Sequence, residues 1–427
     1  MMKKTLLALI TSAMFVSPAF SAKEGLSDNI HDRYWDVTNA DGSLKSDDII
    51  NQRLSIVDQA KEPYTEQERE AFRKKYQAKY EKYIVLDGLV VGGMNSNGKG
   101  FPMMSKAQFD TIATTGEVDY DVMSITISNG TDKTVSEVYD RADTTSKHLY
   151  HDHGHHLVKS VDDIRLNHKE GKVSYFYNFQ AIDHLQRGSE EPLSHIPKFA
   201  SEGVKVMSFS YNISNDFSGS GDTNSLKSGP EGLTPLGIEA VKAMNEAGVV
   251  VDCSHDSDQT CIDIANYSTK PVVASHSNAR ALRDIDRNIS DEAIIAIAKT
   301  DGVIGVNFIG GFLNDQATAS GDDIAAHIVY IADLISRELG VDGKKHVGIG
   351  ADYVHNYIDA LQWIVRAPDK FPATSAGGGY ASLSEYGRPS DIWAVVDSLE
   401  TKHGWSEQEI AGVLGENTLR VYEANWK

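Results

Sequence analysis

Eight apolar stretches of strand length recur between residues 84 and 353, and their spacing limits the fold more than any other feature. They are IVLDGLVV (84–91), VMSITISN (122–129), KVSYFYNFQ (172–180), VKVMSFSY (204–211), VVVDCSH (249–255), PVVASHS (271–277), GVIGVNFIG (302–310) and HVGIGADY (346–353). Several are continuously apolar rather than alternating, as expected of parallel strands buried on both faces. Helix-like segments separate them, such as GIEAVKAMNEAG after the fourth run and DEAIIAIAKTDG after the sixth. Strand and helix repeated eight times over about 270 residues is the arithmetic of an α/β chain closing into a (β/α)8 TIM barrel. An open doubly wound sheet is the structural alternative, and no G-x-G-x-x-G or Walker pattern supports it.

In such a barrel the chemistry sits at the C-terminal ends of the strands. The fifth run ends in His255, the sixth in His276 and the eighth in Asp352. Two imidazoles on adjacent strands outline a metal site, because imidazole suits zinc and related ions. A carboxylate beside them can ligate metal or take a proton from an attacking water. The third run ends in Gln180 and the fourth in Tyr211, whereas the first ends in Leu89 and Val91.

The flanks read differently. Lys3 and Lys4, the apolar stretch Thr5 to Val16, and small residues up to Ala22 with Ala19 and Ser21 at the cleavage positions predict a signal peptide over residues 1–22. That stretch is too short for a good membrane span, and no second candidate follows. The mature chain is therefore expected in a periplasm or outside the cell. Residues 23–80 predict a helical N-terminal extension that packs as an arm, with a capping box at Thr65 and Glu68. Residues 81–427 then form the barrel. The net charge of −20 argues against nucleic acid and anionic lipid as partners, since both need a basic face. The two cysteines, Cys253 and Cys261, leave a bridge and two buried thiols equally open.

The stretches GLTPLGIEAVKAMNEAGVVVDCSHDSDQTCIDIA, PVVASHSNARALRDIDRNISDEAIIAIAKTDGVIGVNF and HVGIGADY resemble the membrane (renal-type) dipeptidases of the amidohydrolase superfamily. DIRLNHKEGKV and WSEQEIAGVLGENTLRVYEANW extend the resemblance over roughly residues 80–427. It implies a (β/α)8 barrel that hydrolyses dipeptides with two zinc ions, and a homodimer, for which no interface can be read. By position, His255 and His276 match the histidines of one zinc, and Asp352 matches the aspartate that serves the catalytic water. Arg287, in DRN, matches the arginine that holds the substrate carboxylate, a role suited to its planar fork. Without the resemblance, an ion pair of Arg287 with Asp284 or Asp286 is equally expected.

The chain departs from the family at the other zinc. Where the family has D-G-H-x-D at the end of its first strand, this chain has Asp87-Gly88-Leu89-Val90-Val91. Gln180 stands where a glutamate bridges the metals, and Tyr211 where a histidine touches substrate. The expectation is a single zinc at His255 and His276, with Gln180 or Asp352 completing the set. The substrate would be a dipeptide or related small amide, with Asp352 as base and Arg287 and Tyr211 on the substrate. One alternative is a barrel that binds without turnover, motivated by Leu89, Val91 and Gln180. Another is a hydrolase of a different amide, ester or lactone, motivated by Tyr211.

HLYHDHGHH places five histidines within residues 148–156. Such a cluster can hold metal or refill the damaged site, but no strand geometry orients it, so an exposed loop that binds divalent ions casually is expected. The segments 218–229 and 375–387 predict mobile loops near the mouth. Tyr175, Phe176, Tyr177 and Phe179 are expected in the core.

Overall fold

The computed structural model describes residues 44–54, 63–93, 96, 110, 120–129, 134–187, 189–222, 227–314, 319–353, 364, 366–367 and 388–427. Residues 1–22 and 375–387, read as a signal peptide and a loop, lie outside the described residues.

Each of the eight apolar runs forms a strand: β1 (Leu86–Val91), β2 (Val122–Ser128), β3 (Ser174–Phe179), β4 (Val204–Met207), β5 (Val250–Val251), β6 (Val273–Ala274), β7 (Val303–Val306) and β8 (Val347–Ile349). All eight are fully buried, which explains why several read as continuous rather than alternating apolar sequence. Parallel pairing runs β1-β2-β3-β4-β5 and β6-β7-β8. Parallel bridges Asp252↔Val273 and Val90↔Tyr353 join the two sheets at both seams and close the barrel.

The helices between the strands follow their capping signals. Pro235–Ala247 starts behind Thr234, whose side chain accepts from Gly237 N, and stops at Gly248, which takes the left-handed conformation (φ 74°). Asp291–Lys299 starts behind Ser290 in the same way. The four aromatics of β3 are core residues: Phe176 packs edge-on against Tyr422 and Trp426, and Tyr177 OH donates to Ala142 O at 2.8 Å.

In the N-terminal part, Asp47–Leu54 and Glu66–Tyr80 are helical. The second begins with the expected box, in which Glu68 Oε2 accepts from Thr65 N at 2.7 Å. It lies against Ile392–Thr401 and is laced to it. Arg69 Nε donates to Asp391 Oδ1 at 2.7 Å, Tyr76 OH to Asp397 Oδ1 at 2.7 Å and Lys75 Nζ to the same oxygen at 2.6 Å. Beyond the helix end, Tyr83 OH reaches Glu407 Oε1 at 3.0 Å.

Inside the barrel three glycines, Gly88 in β1, Gly305 in β7 and Gly350 just after β8, face the carbonyl oxygen of Ser275. A Cβ at Gly305 or Gly350 would lie inside the contact distance of that oxygen. The close approach brings β6, and with it His276, inward. Gly350→Ala is therefore expected to destabilise by about 1–3 kcal/mol or more, because the clash is with backbone. A urea midpoint unchanged in this variant would show that the strand spacing yields more easily than these contacts imply.

Candidate active site

His255 and His276 follow β5 and β6 and meet over the barrel. Their Nε2 atoms are 3.0 Å apart, and Gln180 Nε2, just beyond β3, is 3.2 Å from His276 Nε2. All three side chains are buried. The sequence-predicted trio thus converges on one point.

Neighbouring bonds fix which nitrogen of each ring carries the proton. His255 Nδ1 lies 3.0 Å from Asn212 Oδ1, an acceptor, so Nδ1–H donates. His276 Nδ1 lies 2.7 Å from Ser275 Oγ, whose own proton goes to Asp252 Oδ2 at 2.5 Å. Ser275 must therefore accept from His276 Nδ1–H. Asp252 is in turn held by Ser208 Oγ and by the backbone N–H groups of Ser254 and Ser275, at 2.8–2.9 Å. Both histidines consequently present an unprotonated Nε2 toward the other. Burial, then the charge of Arg287, pushes the pKa of each well below the ordinary histidine value, so a shared proton is disfavoured. Two lone pairs 3.0 Å apart repel unless a cation lies between them. This donor set, with each ring oriented by a hydrogen bond at its other nitrogen, fits a zinc-type ion. Turning the Gln180 amide exchanges its nitrogen for an oxygen ligand at the same place.

The remaining predicted residues surround this pair. Tyr211, after β4, packs on His255 with ring centroids 4.2 Å apart and ring planes tilted by 35°. Asp352 follows β8 and accepts from Asn307 Nδ2 at 3.0 Å. Its pKa is pushed up to about 6 by burial, against the opposing charge of Arg287 and the Asn307 bond. Arg287 is buried. Its guanidinium donates to His276 O at 2.9 Å and Ser277 Oγ at 3.3 Å and lies over the Phe312 ring. Asn212, His255 and Asp352 all have positive φ (58°, 71° and 56°). Residues held there outside glycine cost energy and gather at functional sites.

Leu89 and Val91 are buried apolar residues at the end of β1. Asp87 is buried two residues before Leu89. Its Oδ1 accepts from Leu89 N at 3.1 Å and Ala351 N at 2.8 Å, tying β1 to β8. Burial raises its pKa to about 7. Asp256 is likewise buried and raised to about 8 by desolvation, with Oδ1 accepting from Ser210 N (3.0 Å) and from Ser210 Oγ and Ser218 Oγ. Ser218–Asp222 is thus bonded into the wall rather than standing away as the predicted loop, with Gly221 N donating to His255 O at 2.7 Å.

Sequence reasoning missed Asn212, Asp252, Ser275 and Asn307. Two left a trace: Asp252 and Asn307 are polar residues interrupting apolar runs near their ends. Cys253 and Cys261 form a disulfide, Cα–Cα 5.2 Å, resolving the two open readings.

The family model "Membrane dipeptidase (Peptidase family M19)" matches residues 98–369, well over half of the chain. The chain belongs to the M19 membrane dipeptidase family. The matched span contains β2 to β8 and both histidines of this M19 chain, and it begins beyond β1, where Leu89 and Val91 lie. An uncharacterized dipeptidase of Schizosaccharomyces pombe is 27% identical over 265 residues, covering 60% of this chain and 57% of the relative. The dipeptidase aclJ of Aspergillus oryzae is 30% identical over 268 residues, covering 62% and 55%. The M19 chain spans little more than half the length of these curated relatives. A solved amidohydrolase from Pseudomonas aeruginosa has the same fold, with a TM-score of 0.64, 24% identity, and coverage of 82% of this chain and 98% of that one.

Among the described residues no helix is long and apolar enough to cross a membrane.

Proposed function

We propose that this M19 chain hydrolyses a dipeptide or a related small amide with one zinc ion held by His255 and His276. The observation that carries the reading is the pair of unprotonated Nε2 atoms facing each other at 3.0 Å. When bound, the ion supplies Lewis acidity toward the scissile carbonyl. Everything else comes from the chain. Gln180, with its amide turned, supplies an oxygen to the same point. Asp352, ionised above about pH 6, takes the proton of the attacking water. Arg287 pairs with the substrate carboxylate, and its bonds to His276 O and Ser277 Oγ hold the fork in place beforehand. Tyr211 shields His255 and lines the substrate side. Leu89 and Val91 make an apolar wall where a second ion would need ligands, so a single ion is the expected complement.

Export to a periplasm or the cell exterior is part of this reading. The signal-like residues 1–22 and the Cys253–Cys261 disulfide support it, because such bonds persist in oxidising compartments.

The test is hydrolysis of a panel of dipeptides, including D-residues at the C-terminal position, by chelator-treated protein before and after zinc is restored. Turnover that returns with zinc supports the proposal. Zinc-loaded protein inert to the whole panel, yet thermally stabilised by one of its members, would establish the second reading, a barrel that binds without turnover. Buried Leu89 and Val91 favour that alternative.

A further inference from the structure

The histidine-rich segment is not the exposed loop its composition suggests. It ends a 19-residue helix, Val135–His153, that opens on a capping box at Thr134 and Glu137 and closes on left-handed Gly154 (φ 68°). The side chains of His148 and His153 are each only 6% exposed. Both point at Asp110, from the connection between β1 and β2. Asp110 Oδ1 lies 2.6 Å from His148 Nε2 and 2.9 Å from His153 Nε2, and the two nitrogens are 3.3 Å apart. Asp152 Oδ2 lies 2.7 Å from His148 Nδ1.

These contacts repeat the logic of the mouth. A proton on His148 Nδ1, donated to Asp152, leaves Nε2 as a lone-pair acceptor facing a carboxylate oxygen, also an acceptor. A carboxylate–histidine pair of this kind orients imidazoles toward metals. We infer that Asp110, His148 and His153 form a second binding site, for a zinc-type divalent ion, separate from the catalytic mouth. Two imidazoles and one carboxylate are a donor set for borderline transition ions rather than for magnesium or calcium. Asp110 is 30% exposed, which gives an ion a path in.

The topology assigns the site a structural role. The helix returns from the C-terminal end of β2 toward the start of β3, where His156 N donates to Val173 O at 2.9 Å. The cluster therefore lies toward the strand starts, the end opposite His255 and His276, and cannot refill the mouth. An ion here would clip the β1–β2 connection to the helix end, across 38 residues of chain.

The test is zinc counting on full-length, untagged protein, with thermal melts in zinc and in magnesium. A His255→Ala, His276→Ala variant is expected to retain about one zinc per chain and a zinc-dependent rise in melting temperature, with no response to magnesium. Added to that variant, His148→Gln with His153→Gln is expected to abolish that zinc and that rise, whereas in the otherwise unchanged chain the same pair keeps zinc-dependent turnover. Should the glutamine pair fail to fold, Asp110→Asn, an isosteric change at the exposed edge, is expected to weaken zinc binding at least tenfold. The inference is overturned if the His255/His276 variant holds no zinc, or if, in that variant, the melting response survives His148→Gln and His153→Gln or zinc affinity is unchanged by Asp110→Asn. The first result would mean that a proton, not a metal, joins the three side chains, and the second that zinc stabilises the fold from another place.

Discussion

His276→Ala is expected to lower kcat/KM by about three orders of magnitude or more and to remove the mouth zinc while the fold persists. The residue is the hub of the site, with its Nε2 within 3.0 Å of His255 and 3.2 Å of Gln180. Loss of the ion forfeits several kcal/mol of charge stabilisation, and each 1.4 kcal/mol is about tenfold in rate. Zinc content read beside kcat/KM separates this from general damage. Ser275→Ala is the graded control, since it leaves the ligand but releases its Nδ1. A residue at that remove typically costs 10–100-fold in affinity or activity. An alanine variant at His276 that keeps both zinc at the mouth and turnover would remove His276 from the site.

Asp352→Asn is expected to lower kcat by about 10²–10⁴-fold and, in the opposite direction, to stabilise the metal-free protein near neutral pH. Both effects come from the same burial. As a base, Asp352 works only when ionised, so activity should fall as pH drops through about 6. The asparagine variant should lack that limb. For stability the sign reverses. A carboxyl whose folded pKa is raised from 3.8 to about 6 favours the folded state most when protonated, and that advantage is lost as pH climbs across this interval. By linkage the loss is roughly 3 kcal/mol at pH 7, and asparagine avoids it. Asparagine also tolerates the positive φ of 56° and keeps an oxygen for Asn307 Nδ2. Urea titrations at pH 5 and pH 7 read the difference. Equal stability of the two proteins at pH 7 would mean that water or another charge relieves the carboxylate.

The barrel was legible because each of its strands is buried on both faces, which writes eight apolar runs, several of them continuous, into the chain. His255, His276 and Asp352 were legible because a polar residue that ends such a run has few reasons to be there besides the mouth. The groups that orient them were not. Asn212 and His255 are 43 residues apart, and Ser275 and Asp252 are 23 apart; they meet only because neighbouring strands bring them together. No local pattern encodes that adjacency. His148 and His153 were misread for another reason. Histidine-rich sequence lacks apolar periodicity, so the helix shows only at its ends, in the Thr134–Glu137 box and in Gly154. Asp110, 38 residues before His148, had no signal at all.

The lacing between residues 69–83, the helix and the turn beyond it, and the segment 391–407 joins residues 320–324 positions apart. That separation sets an order of events in biosynthesis. At about 5–20 residues per second, a ribosome needs roughly 15–65 s to deliver the partner of Arg69 after Arg69 itself emerges. Throughout that interval Tyr76 and Tyr80, both buried in the finished molecule, have no surface to cover them. Contacts this distant along the chain form late and slow folding. The nascent N-terminal helix is thus the stretch on which a chaperone would act longest, and loss of the last forty residues would strand it completely.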